Sequence, residues 1–143
     1  MNIKDCFEQR ILRKIKPDLE KANKSFEIAN SKLEKAKELF NADFFSDALV
    51  SIYTSMFHAS RSLLYKDGVQ EKSHYAVYIY LKEKYSKNIS QKSLNIFNGL
   101  REDRHKILYG FEENILKEEV ESAFLDVEEF LEEVKKLHES KSI

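Results

Sequence analysis

The sequence has one cysteine, one proline, three glycines and no tryptophan among 143 residues. A lone cysteine, Cys6, excludes an intramolecular disulfide and a cysteine-rich zinc site, and it favours a reducing intracellular compartment. No stretch approaches the roughly 18 apolar residues that span a bilayer. The N-terminal segment MNIKDCFEQR lacks the apolar centre of a secretory signal. We therefore expect a cytoplasmic protein without a membrane association.

Acidic and basic residues are nearly equal in number. The chain has 24 Lys and Arg residues against 25 Asp and Glu residues, for a formal net charge of −1. A general positive field that could hold a duplex by counterion release is therefore absent, and binding to double-stranded DNA is not expected. Any binding of RNA or nucleotide would have to come from a local cluster or from a cleft that two subunits build together.

Apolar residues recur every three or four positions along most of the chain, which is the period of amphipathic helices. The pattern predicts helices at about 3–15, 19–39, 44–66, 74–86, 90–109 and 117–138. Loops as short as those between them make neighbouring long helices antiparallel. The prediction is an all-α, up-and-down bundle of four to five main helices. It forms one domain over 1–143, with a core at about 17–137 and a short N-terminal helix at 3–15.

Several residues predict where these helices begin and end. Asp43 is placed to cap the start of the central helix, and Gly68 is placed to accept a left-handed conformation at its end. Ser73 is placed to cap the helix that follows, and Asn88 or Ser90 the next one.

Most common enzyme motifs are missing. The four histidines, His58, His74, His105 and His138, form no His-Glu-x-x-His pair and none lies four residues from another. The spacing thus gives no support for a metal site. Glycine-rich phosphate loops and a nucleophile elbow are absent as well. No cofactor is expected.

The first candidate cluster lies on the most apolar predicted helix. His58 and Arg61 are three residues apart and thus share a helix face beside large hydrophobic residues. They are candidate ligand-binding residues. The more conservative interpretation is that His58 and Tyr53 are polar groups of the core or of an interface, satisfied by hydrogen bonds. His74, just after Ser73, reads as part of a helix start.

The second candidate cluster is on the fifth predicted helix. Arg101, Arg104 and His105 lie at offsets of three and four, so two guanidinium groups and an imidazole could share a stripe. Such a stripe could bind phosphate, and a histidine there could move protons near neutral pH. Metal-independent cleavage of RNA needs such groups. The alternative is a solvated face in which Glu102 and Asp103 pair with the arginines.

Both clusters, in this order, resemble the HEPN family, in particular its small stand-alone branch. The first match is Tyr-x-x-Met-Phe-His-Ala-x-Arg-x-Leu-Leu at 53–64, followed by Gly68 and Lys72-Ser73-His74. The second is Arg-x-x-Arg-(x)4-Tyr-Gly at 101–110. With the flanking helices the resemblance covers roughly 17–137.

This resemblance implies a helical bundle that pairs through its central helices into a homodimer with a shared cleft. Many members are ribonucleases, often toxins restrained by a neighbouring nucleotidyltransferase. Their pattern is an arginine, four to six residues and a histidine, often with a tyrosine two residues later. Here Tyr109 follows Arg104 after four intervening residues, in place of the histidine, and Phe111 stands at the later tyrosine position. Arg104, His105 and Tyr109 are the catalytic candidates on this basis.

Three hypotheses follow. In the first, the chain is a non-catalytic or weakly catalytic homodimeric component of a toxin–antitoxin-like system, which binds nucleotide or RNA through Arg101, Arg104, His58 and Arg61 beside a nucleotidyltransferase partner. Alternatively it is a metal-independent endoribonuclease toxin, or a structural dimerisation module without a ligand.

Overall fold

A computed structural model describes residues 1–110 and 114–140. In chain order its elements are α1 (Ile3–Glu8), β1 (Leu12–Lys14), α2 (Leu19–Asn41), α3 (Phe45–Asp67), β2 (Val69–Glu71), α4 (His74–Lys84), α5 (Gln91–Tyr109) and α6 (Lys117–Glu139). The predicted all-α class is confirmed. The exception is a two-stranded antiparallel ribbon in which β1 pairs with β2.

Helix α3 is the centre of the bundle, with α2, α5 and α6 packed around it. The side of α2 that faces it is largely made of small residues, including Ala22, Ala29 and Ala36, all fully buried. Small side chains let the two backbones approach closely. The hydroxyls of Ser51 and Ser55 on α3 therefore reach α2 and donate to the carbonyls of Lys32 (2.8 Å) and Ala29 (2.7 Å). These bonds satisfy hydroxyls that would otherwise be costly to bury.

The end of α3 and the start of α4 follow the local signals in the sequence. Gly68 ends α3 in the left-handed region, with φ 80°. A Cβ at this position would lie 2.7 Å from the carbonyl oxygen of Ile15, so glycine is required by space as well as by backbone conformation. Ser73 caps α4 by accepting a hydrogen bond from the backbone N–H of Ala76 (3.0 Å). Ser90 caps α5 in the same way. These predictions are confirmed.

A carboxylate at the last residue of α3 ties this helix to α4 and the turn beyond it. Asp67 accepts hydrogen bonds from the hydroxyls of Tyr80 (2.8 Å) and Tyr85 (2.6 Å). Burial and this neighbouring carboxylate raise the pKa of both tyrosines. They are consequently neutral hydrogen-bond donors at neutral pH.

Two predictions about local structure are wrong. The predicted helix at 3–15 ends at Glu8, and residues 12–14 form β1 instead. Pairing with β2 fixes this segment, and further bonds join Ile15 N–H to the Gly68 carbonyl and Lys72 N–H to the Ile11 carbonyl, both 2.9 Å. Asp43 does not cap α3: it lies in the left-handed region (φ 65°), and the cap position is Phe44, without a side-chain cap bond.

Candidate functional site

His74, the first residue of α4, lies against two aromatic residues of α3. Its Nδ1 is 2.8 Å from the hydroxyl oxygen of Tyr53, and its ring stacks on that of Phe57 with centroids 4.1 Å apart. The Ser73 cap and strand β2 position this residue, because they fix where α4 begins. The sequence analysis placed His74 at a helix start and within the family motif Lys72-Ser73-His74, but it did not name His74 as a site residue.

Three arginines surround this stack. The guanidinium carbon of Arg104 lies 5.9 Å from the centre of the Tyr53 ring, and that of Arg61 lies 5.7 Å from the Phe57 ring. Arg101 lies 5.0 Å from the ring of Tyr75, the residue after His74. Arg61 comes from α3, and Arg101 and Arg104 come from α5. We call these three residues the arginine cluster; the fold thus brings together residues from both motifs.

The positive charges around His74 affect its protonation. Burial first, and then the charges of Arg104, Arg61, Arg101 and His58, lower the pKa of His74 to about 4. Burial likewise raises the pKa of Tyr53, against the smaller opposing effect of Arg104 and Arg101. At neutral pH the imidazole and the phenol are therefore both uncharged. The positive charge at this site belongs to the arginines.

The arginines differ in how they are paired. The Nε of Arg61 donates to the carboxylate of Glu71 at 3.2 Å, and the Glu71 side chain is only 9% exposed. Arg101 donates from Nε to the side-chain oxygen of Asn98 at 3.0 Å. Within residues 1–110 and 114–140 no carboxylate lies at salt-bridge distance from Arg101 or Arg104. The ion pairs that a merely solvated face would form on these arginines are thus not found there.

His105 and Tyr109 lie on a different side of α5 from Arg104. Both are exposed, and their ring centroids are 5.1 Å apart. His105 and Arg101 share a shallow cavity of about 320 Å³, with Glu102 and Lys106. One residue along a helix is a rotation of about 100°, so the three catalytic candidates do not converge within one chain. Phe111 lies outside the described residues.

His58 is half-buried beside Arg61. Its Nδ1 is buried and has no hydrogen-bond partner in the described part of the chain. Burial and the charges of Arg61 and Lys32 lower its pKa. Its charge in turn contributes to the lowered pKa of His74. The four predicted ligand-binding residues, His58, Arg61, Arg101 and Arg104, are therefore all electrostatically coupled to His74.

In the described ranges no group of three His, Cys, Asp or Glu side chains is placed to hold a metal ion. None of the described helices combines the length and the apolar character needed to cross a membrane.

Known proteins resemble this chain in sequence over most of its length. Residues 22–137 match the HEPN domain family. Over 139 residues the chain is 30% identical to the Methanocaldococcus jannaschii protein named "Putative toxin MJ0142", and the alignment covers 95% of this chain and 89% of the relative. The family match includes α3, α4, α5 and nearly all of α6, and therefore the arginine cluster and His74. The chain belongs to the HEPN domain family.

Proposed function

We propose that this chain is a toxin-type HEPN protein that binds RNA or nucleotide phosphate through its arginine cluster, as a homodimer acting with a nucleotidyltransferase partner. The observation that carries the proposal is the set of guanidinium groups around His74, two of which have no carboxylate partner among the described residues. Guanidinium groups match phosphate oxygens in geometry and charge. The family membership and the name of the relative support the toxin assignment.

The proposed homodimer has a physical reason in the same region. Leu108 and Tyr109, at the end of α5, are 47% and 69% exposed, and Tyr75 beside Arg101 is 39% exposed. A second copy packed against them would cover this apolar surface and bring a second arginine cluster close to the first. Light scattering should then give twice the chain mass of 16.9 kDa. A mass of one chain would contradict the dimer.

Binding is tested with a fluorescent single-stranded RNA carrying 2′-O-methyl groups, which cannot be cleaved by attack of the 2′-hydroxyl. Arg104→Gln should weaken binding at least tenfold, since a charge-assisted hydrogen bond contributes roughly 1.5–3 kcal/mol. Arg104→Lys should recover only part of the loss, because it restores the charge without the planar fork. Lys87→Gln, a loop substitution outside the site, is the control for net charge. Equal affinities for all four proteins would refute the site.

The partner is tested separately, because RNA binding does not require it. The chain is mixed with the nucleotidyltransferase from the same genome, preferably one encoded beside it, and the mixture is separated by size. Co-elution would support the pair. Failure to co-elute with any such protein would remove the partner from the proposal and leave the phosphate site standing.

A second candidate function is metal-independent RNA cleavage. The cavity shared by Arg101 and His105 favours it, because it places a guanidinium beside an exposed imidazole. In such a reaction the 2′-oxygen attacks phosphorus, the 5′-oxygen leaves, and a 2′,3′-cyclic phosphate forms. A base takes the 2′-hydroxyl proton and an acid returns one to the leaving oxygen. Cleavage of unmodified RNA in the presence of a chelator, lost in His105→Gln and in Arg104→Gln, would support it. Intact RNA after prolonged incubation would exclude it.

A further inference from the structure

A second basic surface lies beside the β1–β2 ribbon, outside the arginine cluster. It is a cavity of about 730 Å³ whose lining includes Phe7, Arg10, Arg13, Lys14, Glu71 and Lys72. We call it the ribbon groove. The volume is in the usual range for a site that binds a small organic molecule or a short segment of a polymer.

The ribbon groove has an excess of positive charge that its own residues do not neutralise. Arg10, Arg13, Lys14 and Lys72 are all exposed. None of them forms an ion pair with a carboxylate in the described ranges. The acidic residue of the lining, Glu71, is engaged by Arg61. Four cations around one concave surface raise the local concentration of anions, even though the whole chain has a formal net charge of −1.

The fold builds this surface from segments distant in sequence. In β1, Leu12 is buried and Arg13 and Lys14 are exposed, and Lys72 follows β2 directly. Arg10 lies in the left-handed region, with φ 61°. A non-glycine residue there costs on the order of 1 kcal/mol. Arginine therefore occupies this position at an energetic cost that glycine would not have.

The ribbon groove is linked to the arginine cluster by one ion pair. Glu71 lines the groove, and its carboxylate accepts from Arg61 at 3.2 Å. Arg61 in turn lies over Phe57, which stacks on His74. One ion pair therefore joins the two positive surfaces. If one part of a linear polyanion binds the arginine cluster, the neighbouring part of the same polymer would reach the ribbon groove.

We propose that the ribbon groove binds the phosphodiester backbone of single-stranded RNA that flanks the nucleotide held at the arginine cluster. Phe7, half-buried in the groove wall, offers a ring edge or face to an unstacked base. Basic side chains beside an aromatic ring are the usual composition of grooves for single strands. The inference rests on the proposed function, since it extends the path of the same RNA.

The test compares a short and a long 2′-O-methyl oligouridylate, of about 3 and about 12 nucleotides, because a single-strand site of this type spans several nucleotides. The double variant Arg13→Gln, Lys14→Gln should weaken binding of the long oligonucleotide about tenfold at 0.1 M salt. It should also lower the slope of log K against log salt by about 1.4, because each phosphate contact to a single strand contributes about 0.7. Binding of the short oligonucleotide should stay unchanged.

The matched control is Lys24→Gln, Lys87→Gln, which removes the same charge from exposed positions outside the groove. It should change neither slope nor affinity. Two results would refute the ribbon groove while the arginine site stands, provided that the wild type binds the short oligonucleotide. In the first, the wild type binds the long oligonucleotide no more tightly than the short one. In the second, the groove variant binds the long oligonucleotide as tightly as the wild type does. That outcome would fit a groove for an acidic protein. If the wild type binds neither oligonucleotide, both proposals fail.

Discussion

Replacing Arg104 by glutamine should raise the pKa of His74, which is about 4 in this protein. Burial is the largest cause of that low value and Arg104 is the largest of the charged contributors. The guanidinium carbon of Arg104 lies 5.9 Å from the Tyr53 ring centre, which lies 5.8 Å from that of His74. The two charges would therefore be at most about 12 Å apart.

Coulomb's law converts this bound into a magnitude. A unit charge at 12 Å contributes about 0.3 kcal/mol at the dielectric constant of water and about 1.4 kcal/mol at an effective value of 20. Because about 12 Å is the largest possible distance, the pKa of His74 should rise in Arg104→Gln by at least roughly 0.3 at the first dielectric constant and at least about 1 at the second. Most of the depression remains, because burial is unchanged.

The measurement is a pH titration of the histidine ring protons by NMR, with the His74 signal identified by its loss in His74→Gln. The fit is limited to pH values at which circular dichroism shows a folded protein. Lys87→Gln removes one charge in a loop outside the site and should leave the His74 curve in place. An unchanged His74 curve in Arg104→Gln would mean that Arg104 does not face His74. The arginine cluster would then be wrong.

Three further predictions concern stability. Because the pKa of His74 is lowered in the folded state, the unfolded chain binds the proton first as pH falls from about 6.5 to 4. The free energy of unfolding should therefore drop by about 1–3 kcal/mol over that pH range, after allowance for solvent screening. The drop should be smaller in His74→Gln. Urea titrations that gave both proteins the same pH dependence would contradict this. Tyr85→Phe should cost about 1.5–3 kcal/mol, since it removes a hydrogen bond to the Asp67 carboxylate; a urea midpoint as high as that of the wild type would show that this bond adds nothing. Phe130→Ala should cost about 3–5 kcal/mol because the ring is fully buried, whereas Leu125→Ala, at a side chain 73% exposed, should cost under about 0.5 kcal/mol in the same assay. Equal losses for these two would mean that the α6 packing is wrong.

Helix boundaries could be predicted where the determinant lies within a few residues. Ser73 and Ser90 each satisfy a backbone N–H of the helix that follows, and Gly68 adopts a left-handed conformation that other residues resist. Asp43 offered the same kind of local signal, and there the prediction failed. An aspartate can cap a helix, but it also tolerates the left-handed backbone conformation. Asp43 adopts that conformation after the end of α2 and therefore does not cap α3.

The candidate site could be predicted only in part. Arg101 and Arg104 are three residues apart on one predicted helix, and this spacing alone predicts that they share one side of it. The packing of α3, α4 and α5 brings His58 and Arg61 close to these two arginines and puts His74 between them. The family motif includes His74, but its contacts could not be predicted, because its partners Tyr53 and Phe57 are separated from it by the end of α3 and all of β2.

By itself, the sequence determined the helical class, the order of the long helices and the residues that end them. Each of these is set by interactions within one or two helical turns, and the family motifs are short runs of the same kind. Only the tertiary structure decided that residues 12–14 form a strand and that Arg10, Arg13 and Lys72 border one groove. It also decided that the charges around His74 come from two other helices. Strand pairing and the convergence of charges join segments far apart in the chain, and no local pattern of residues encodes them.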